Sequence, residues 1–219
     1  MKPETEQKSK IVTSFNSLDE IKSVMKFPAV WLLMIIIMCA YVGYKLTDIY
    51  SLYASDVMLF DQIQAAEVGS LQLYLRPIVC VIIGLLADKT SGAKWIITGF
   101  IVMLIGAIIF ASGTVQSNMN SVFFLSLIIV AIGTYTTRAL YFAVLQEGHI
   151  PIALTGTAVG IISVVGYTPD IFASPIMGYL LDRYPGIVGH QYVFAMLVIF
   201  SILGLIASIR FSKLARKNN

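Results

Sequence analysis

Six apolar stretches decide what this chain can fold into, because each is about as long as the ~20 residues a helix needs to cross ~30 Å of hydrocarbon. They run roughly over 28–53, 66–87, 95–113, 121–146, 153–181 and 191–211. A chain of 219 residues that is 58% hydrophobic and 12% charged carries more apolar surface than one water-soluble core of its size could cover. The expected fold is an all-α membrane protein with six transmembrane helices. The first stretch is too long, and the polar leader before it too extended, to be a cleaved secretory signal.

Basic residues orient the stretches. Lys2, Lys8, Lys10, Lys22, Lys26, Lys89, Lys94, Arg210, Lys213, Arg216 and Lys217 fall on one side, and Arg183 alone on the other. The positive-inside rule then places both termini and the Lys89 loop in the cytoplasm of a multi-pass protein of the cell (inner) membrane. The formal net charge of +3 suits contact with an anionic leaflet and gives no reason to invoke nucleic acid. Cys39 and Cys80 lie inside spans as small apolar side chains, so neither a disulfide framework nor a metal set is expected, and no cofactor. His149 and His190 read as isolated interfacial histidines outside the spans.

The chain divides into a leader, 1–27, and a six-span domain, 28–219. In the leader, Ser17 followed by Glu20 reads as a capping box that opens a short amphipathic helix on the cytoplasmic surface. In the domain, Gly84-Leu-Leu-Ala-Asp88-Lys89-Thr-Ser-Gly92 recurs 94 residues later as Gly178-Tyr-Leu-Leu-Asp182-Arg183-Tyr-Pro-Gly186. Arg76 and Asp170 sit at the same place before the two copies. The spans thus form two three-helix repeats, roughly 28–113 and 121–211.

Five ionisable residues lie inside the spans: Lys45, Asp48, Arg76, Arg138 and Asp170. Each costs about 2.5–3.5 kcal/mol at a span centre, so they must face one another or a wet cavity. Polar neighbours at helical spacing extend them into stripes: Tyr41, Lys45 and Asp48; Gln72 and Arg76; Thr134, Arg138 and Tyr141; Ser163, Tyr167 and Asp170. Pro77 and Pro169 flank the same level and are expected to loosen both helices there. Static pairing of Lys45 with Asp48, and of Arg76 with Asp170, is the alternative to a cavity. Three cations against two acids favour an anionic solute, gripped by the planar forks of Arg76 and Arg138, with Lys45 setting the field and Tyr141 beside them. Asp170 would balance Arg76 or carry a coupling proton, with Asp48 as a second charge-balancing acid.

Gly84, Asp88, Lys89 and Gly92 together resemble the signature loop of the major facilitator superfamily, although Ser91 stands where the second glycine is usual and a lone Lys94 replaces a denser basic cluster. Members of that family have two six-span halves. The resemblance therefore implies a carboxy-terminal half built of inverted repeats, with a leader similar to the central cytoplasmic linker. It further implies a secondary transporter rather than an enzyme, working by alternating access with a complementary six-helix half or a second copy of itself. At the helix exit, Asp88 is expected to accept hydrogen bonds from a neighbouring helix's amino terminus while Lys89 pairs locally, holding one access state shut. The second copy, with Pro185-Gly186, also reads as an ordinary turn. Gly156-x-x-x-Gly160 and the sparser Gly99, Gly106 and Gly113 are small-residue faces for close helix approach. Glu147 reads as a hydrated carboxylate at the end of the fourth span.

Other six-span classes fit worse. There are no paired Asn-Pro-Ala half-helices, and Pro169-Asp170 lacks the spacing and cation of a mitochondrial-type carrier repeat. No histidine is expected in a span to serve a protease serine. The remaining rival is a truncated or degenerate transporter half that moves nothing.

Overall fold

The computed structural model describes residues 17–217, and all the regular structure in that range is helical. Six segments are long and apolar enough to cross a membrane: Pro28–Asp56, Gln62–Asp88, Gly92–Ala111, Asn120–Leu140, Ile152–Arg183 and Ile187–Arg216. The six-span, all-α architecture read from the apolar runs therefore holds. The basic positions Lys2, Lys8 and Lys10 of the leader lie outside the described residues.

The elements in order are α1 (Ser17–Val24), α2 (Pro28–Lys45), α3 (Tyr50–Asp56), α4 (Gln62–Asp88), α5 (Gly92–Ala111), α6 (Asn120–Leu140), α7 (Thr155–Gly166), α8 (Pro169–Arg183) and α9 (Ile187–Lys217). The short leader helix α1 forms, but its Glu20 is engaged away from Ser17, whose side chain lies outside the described residues. Glu20 Oε2 accepts a 2.7 Å hydrogen bond from the Thr157 hydroxyl and so ties α1 to α7. A capping box does occur at α4, where Asp61 accepts from the Gln64 amide at 2.8 Å and Gln64 Oε1 accepts from the Asp61 amide at 3.2 Å. This cap starts the helix four residues ahead of the apolar run, satisfying donors that would otherwise be left bare at the membrane surface.

Two spans are broken, and only one break was announced by a proline. The first span passes from α2 through a 3-10 turn, Leu46–Ile49, into α3. The fifth is interrupted at Tyr167 and Thr168, where Pro169 begins α8. Pro77 instead sits inside an uninterrupted α4. The expected symmetry of the two prolines is thereby corrected: Pro169 stands at a first-turn position, where its missing N–H is not needed, whereas the long helix around Pro77 absorbs the loss.

Span one packs on spans five and six, span four on spans two and three, and spans three and six against each other. The tightest crossing joins α5 to α6. A methyl group at Gly99 would fall 2.8 Å from the Thr137 methyl, and those at Gly106 and Gly133 would strike Val130 and Met103. Gly99 and Gly106 are therefore needed for close approach. Gly156 and Gly160 have nothing within 4 Å of a Cβ, and the same holds for Gly84 and Gly178. These four glycines lie on the second and fifth spans, where only 17% and 22% of the apolar window is buried, against 39–61% in the other four. One side of the bundle is thus left uncovered by the chain itself.

The other end of the core is aromatic. Phe110 stacks on Phe194 at 4.4 Å, Tyr53 lies edge-on to Phe110 at 5.1 Å, and the Tyr53 hydroxyl donates to the Val115 carbonyl at 2.8 Å. His190 belongs to this core. It is wholly buried in the first turns of α9, 3.3 Å from Asp56 Oδ2, so it is neither isolated nor outside a span. The apolar hydropathy run begins after it, but the helix does not.

Candidate functional site

The breaks in spans one and five meet at a cluster of charges. Lys45 is the last residue of α2 and Asp170 stands in the first turn of α8, where a carboxylate is favoured by the helix dipole. Lys45 Nζ is 3.5 Å from Asp170 Oδ1 and 3.7 Å from Asp48 Oδ2. The Tyr41 hydroxyl donates to Asp170 Oδ2 at 2.9 Å. One lysine thus serves two acids, one on its own helix turn and one across the bundle.

Both arginines lie over the same tyrosine. The Arg138 guanidinium carbon is 3.7 Å from the centroid of the Tyr44 ring and 5.4 Å from that of Tyr41, and Arg76 lies 5.5 Å from Tyr44. Among the described residues no carboxylate comes within 4 Å of either arginine. The alternative of a static Arg76–Asp170 pair does not occur: α4 places Arg76 against α2's Tyr44, while the break at Tyr167 delivers Asp170 to Lys45. The Tyr141 hydroxyl is 3.3 Å from that of Tyr167, and Tyr167 packs edge-on to Tyr41 at 4.9 Å. Lys45, Asp48, Arg76, Arg138, Tyr141 and Asp170 thus fall in one connected group. Tyr44 is the member that the sequence stripes left out, although it directly precedes Lys45.

The group opens to the uncovered side of the bundle. The side chains of Asp48 and Asp170 are 73% and 51% exposed, which fits water or another polypeptide and not acyl chains. Between α4 and the first span lies a cavity of about 340 Å³, with Arg76, Tyr44, Gln72, Tyr135, Thr47 and Asp48 in its wall. The Tyr135 hydroxyl is hydrogen-bonded to the Gln72 side-chain oxygen at 3.2 Å and to its carbonyl at 3.1 Å.

At the Lys89 loop the acid on a helix amino terminus is Glu147, not Asp88. Its carboxylate accepts from the Gly92 amide at 2.7 Å, the Ala93 amide at 3.3 Å and the Ser91 hydroxyl at 3.0 Å, capping α5. Asp88 and Lys89 are exposed, and among the described residues their side chains make no hydrogen bond or ion pair. The reason lies in the end of the fourth span. Helix α6 stops at Leu140, and the following turns, with His149 at φ +56°, fold the chain back so that Glu147 reaches the start of α5. Glu147 is therefore a helix-capping residue, which its reading as a hydrated end carboxylate missed. Gly92 permits this contact, because a Cβ there would lie 3.0 Å from Glu147 Oε1.

No family model matches the chain. It is 26% identical over 219 residues to the inner membrane protein YihN of Escherichia coli K12, a match covering 96% of this chain and 50% of that protein. It is 23% identical over 185 residues to the inner membrane protein YqcE of the same organism, covering 82% of this chain and 43% of that one. The chain spans about half the length of the curated relatives it matches. Together with the six apolar helices, these relatives make it a multi-pass membrane protein in contact with the lipid bilayer.

Proposed function

We propose that this chain supplies one six-helix half of a facilitator-type secondary transporter in the inner membrane, moving a small anionic solute by alternating access. The observation that carries the reading is the meeting of two interrupted helices at Lys45 and Asp170 beside two carboxylate-free arginines. Broken spans with converging charges are the usual construction of a substrate site near the midplane of such proteins. Arg76 and Arg138 would hold the anion, with Tyr141 at the edge of the site and Lys45 setting the field. Asp170 and Asp48 would balance the charge, and either could carry a coupling proton.

The arrangement of the repeats supports the same reading. Exchanging the first three spans for the last three maps the packing of span one on spans five and six onto that of span four on spans two and three. The open glycines of the second and fifth spans suit a complementary half or a second copy lying against them. The length of the relatives favours a distinct complementary half over a second copy. Both termini would be cytoplasmic. Gly84, Asp88, Lys89 and Gly92 would then form a gate, with Asp88 and Lys89 meeting the other half and not this one.

The test is uptake of carboxylates and sulfonates into vesicles holding this chain with the relatives' complementary half. Lys45→Met together with Asp170→Asn should remove the ion pair and leave without a cation only Asp48, whose side chain is 73% exposed, so the protein should still insert while uptake falls sharply. Full uptake by that double variant would sink the proposal.

A further inference from the structure

The carboxylate-free arginines and one buried amide specify the charge of what binds. Arg76 and Arg138 both lie within 6 Å of the centre of the Tyr44 ring, so two like charges share one aromatic ring. Arg138 Nη1 is buried with no hydrogen-bond partner. The third donor is Gln72, which is 2% exposed and lies in the cavity wall beside Arg76; its Nε2 has no partner, while its Oε1 is bonded to Tyr135. Buried donors of this kind are almost always paired, and these two, with the half-buried Arg76 beside them, call for an acceptor that the described residues do not provide.

The charge count then limits the acceptor. Lys45 offsets only one of the two carboxylates that it touches, leaving that group at −1, while the arginines contribute +2. A monoanion brings the membrane-embedded cluster to neutrality; a dianion would leave it with an unbalanced charge. Thr47, Ser51 and Asp48 line the same cavity and offer acceptors for hydroxyl groups. We infer that the cavity binds a singly charged oxyanion group on a hydroxylated body, held by Arg76 and by a hydrogen bond from Gln72, with the Arg138 charge against Tyr44 adding to the field. This rests on the transporter reading of the same cluster but is tested by binding alone.

The experiment is calorimetric titration and thermal unfolding of the full chain in lipid nanodiscs, with and without the complementary half. The probes are gluconate, methanesulfonate, glucose and glucose 6-phosphate at pH 7.5. Gluconate should bind and raise the melting temperature, methanesulfonate should bind more weakly, and neutral glucose and the doubly charged phosphate ester should bind at least about tenfold more weakly than gluconate. Gln72→Glu keeps the bond to Tyr135 but replaces the free donor with an acceptor, and Arg76→Lys keeps the charge but loses the fork. Each should weaken gluconate binding by about tenfold or more. Unchanged gluconate affinity in both variants, preference for the phosphate ester or for glucose, or no binding of either monoanion with the other half present would overturn the inference. Binding as expected without vesicle uptake would leave the anion site standing and defeat the transporter reading; uptake of a neutral solute without anion binding would do the reverse.

Discussion

The two copies of the glycine-acid-cation motif share their spacing but not their surroundings. At the first, Ser91, Gly92 and Ala93 are held by the Glu147 carboxylate, and a Cβ on Gly92 would lie 2.7 Å from the Val144 side chain. At the second, neither Gly178 nor Gly186 has anything within 4 Å of a Cβ, and Arg183 rests 5.9 Å from the ring of its neighbour Tyr184. Gly186 is needed there for its backbone, at φ +73°, and not for contact. A repeat can therefore preserve the path of the chain while the chemistry at each copy is decided by what packs opposite. Opposite the first copy the chain places an acid; opposite the second it places the Tyr192 ring, 4.8 Å from Tyr184, and among the described residues no side-chain hydrogen bond or ion pair.

The comparison breaks most completely if the two copies are not on opposite sides of the membrane. Reporter fusions after Lys94 and after Asn219 should read cytoplasmic and one after Gln116 external, an all-or-none result. An external signal at Lys94 would exchange the two copies.

Next in size is the cap. Glu147→Ala strips a charged acceptor from three donors at the start of α5 and should cost about 2–3 kcal/mol. Asp182→Ala, at the second copy, should cost no more than about 0.5 kcal/mol. Thermal unfolding in nanodiscs measures both, and equal losses would erase the distinction drawn here. Gly186→Ala should cost about 1 kcal/mol through its left-handed backbone, whereas Gly178→Ala, in a helix with open space around it, should be neutral or slightly stabilising in the same assay. The smallest stability effect belongs to Asp88→Asn, within about 0.5 kcal/mol. With the complementary half present it should nonetheless slow uptake, since a contact made in only one access state shifts that equilibrium. Unaltered uptake at equal abundance would reduce Asp88 to a turn residue.

The charge cluster shows where reading from the sequence stops. Lys45, Asp48, Arg76, Arg138 and Asp170 could be singled out because charge inside an apolar run is expensive wherever the helix turns. Their pairing could not. Asp170 joins Lys45 because span five breaks at Tyr167, and Arg76 is left on Tyr44 because α4 runs straight through Pro77. The 3-10 turn at Leu46–Ile49 has no proline or glycine to mark it. The cap at Asp61 was open to detection, since Asp61 and Gln64 stand at capping-box spacing before an apolar run.

What the sequence determined by itself is the number of membrane-length apolar segments and which of them carry charges, because those depend on local hydrophobicity along one chain and on the thickness of a bilayer. Only the tertiary structure decided that Glu147 and not Asp88 caps α5, that His190 is buried against Asp56, and that two arginines share Tyr44 without an acid. Each of those contacts depends on the rotation of one helix about its axis and its height against another. That rotation and height are set by how side chains interlock between helices, which spacing along a single chain does not encode.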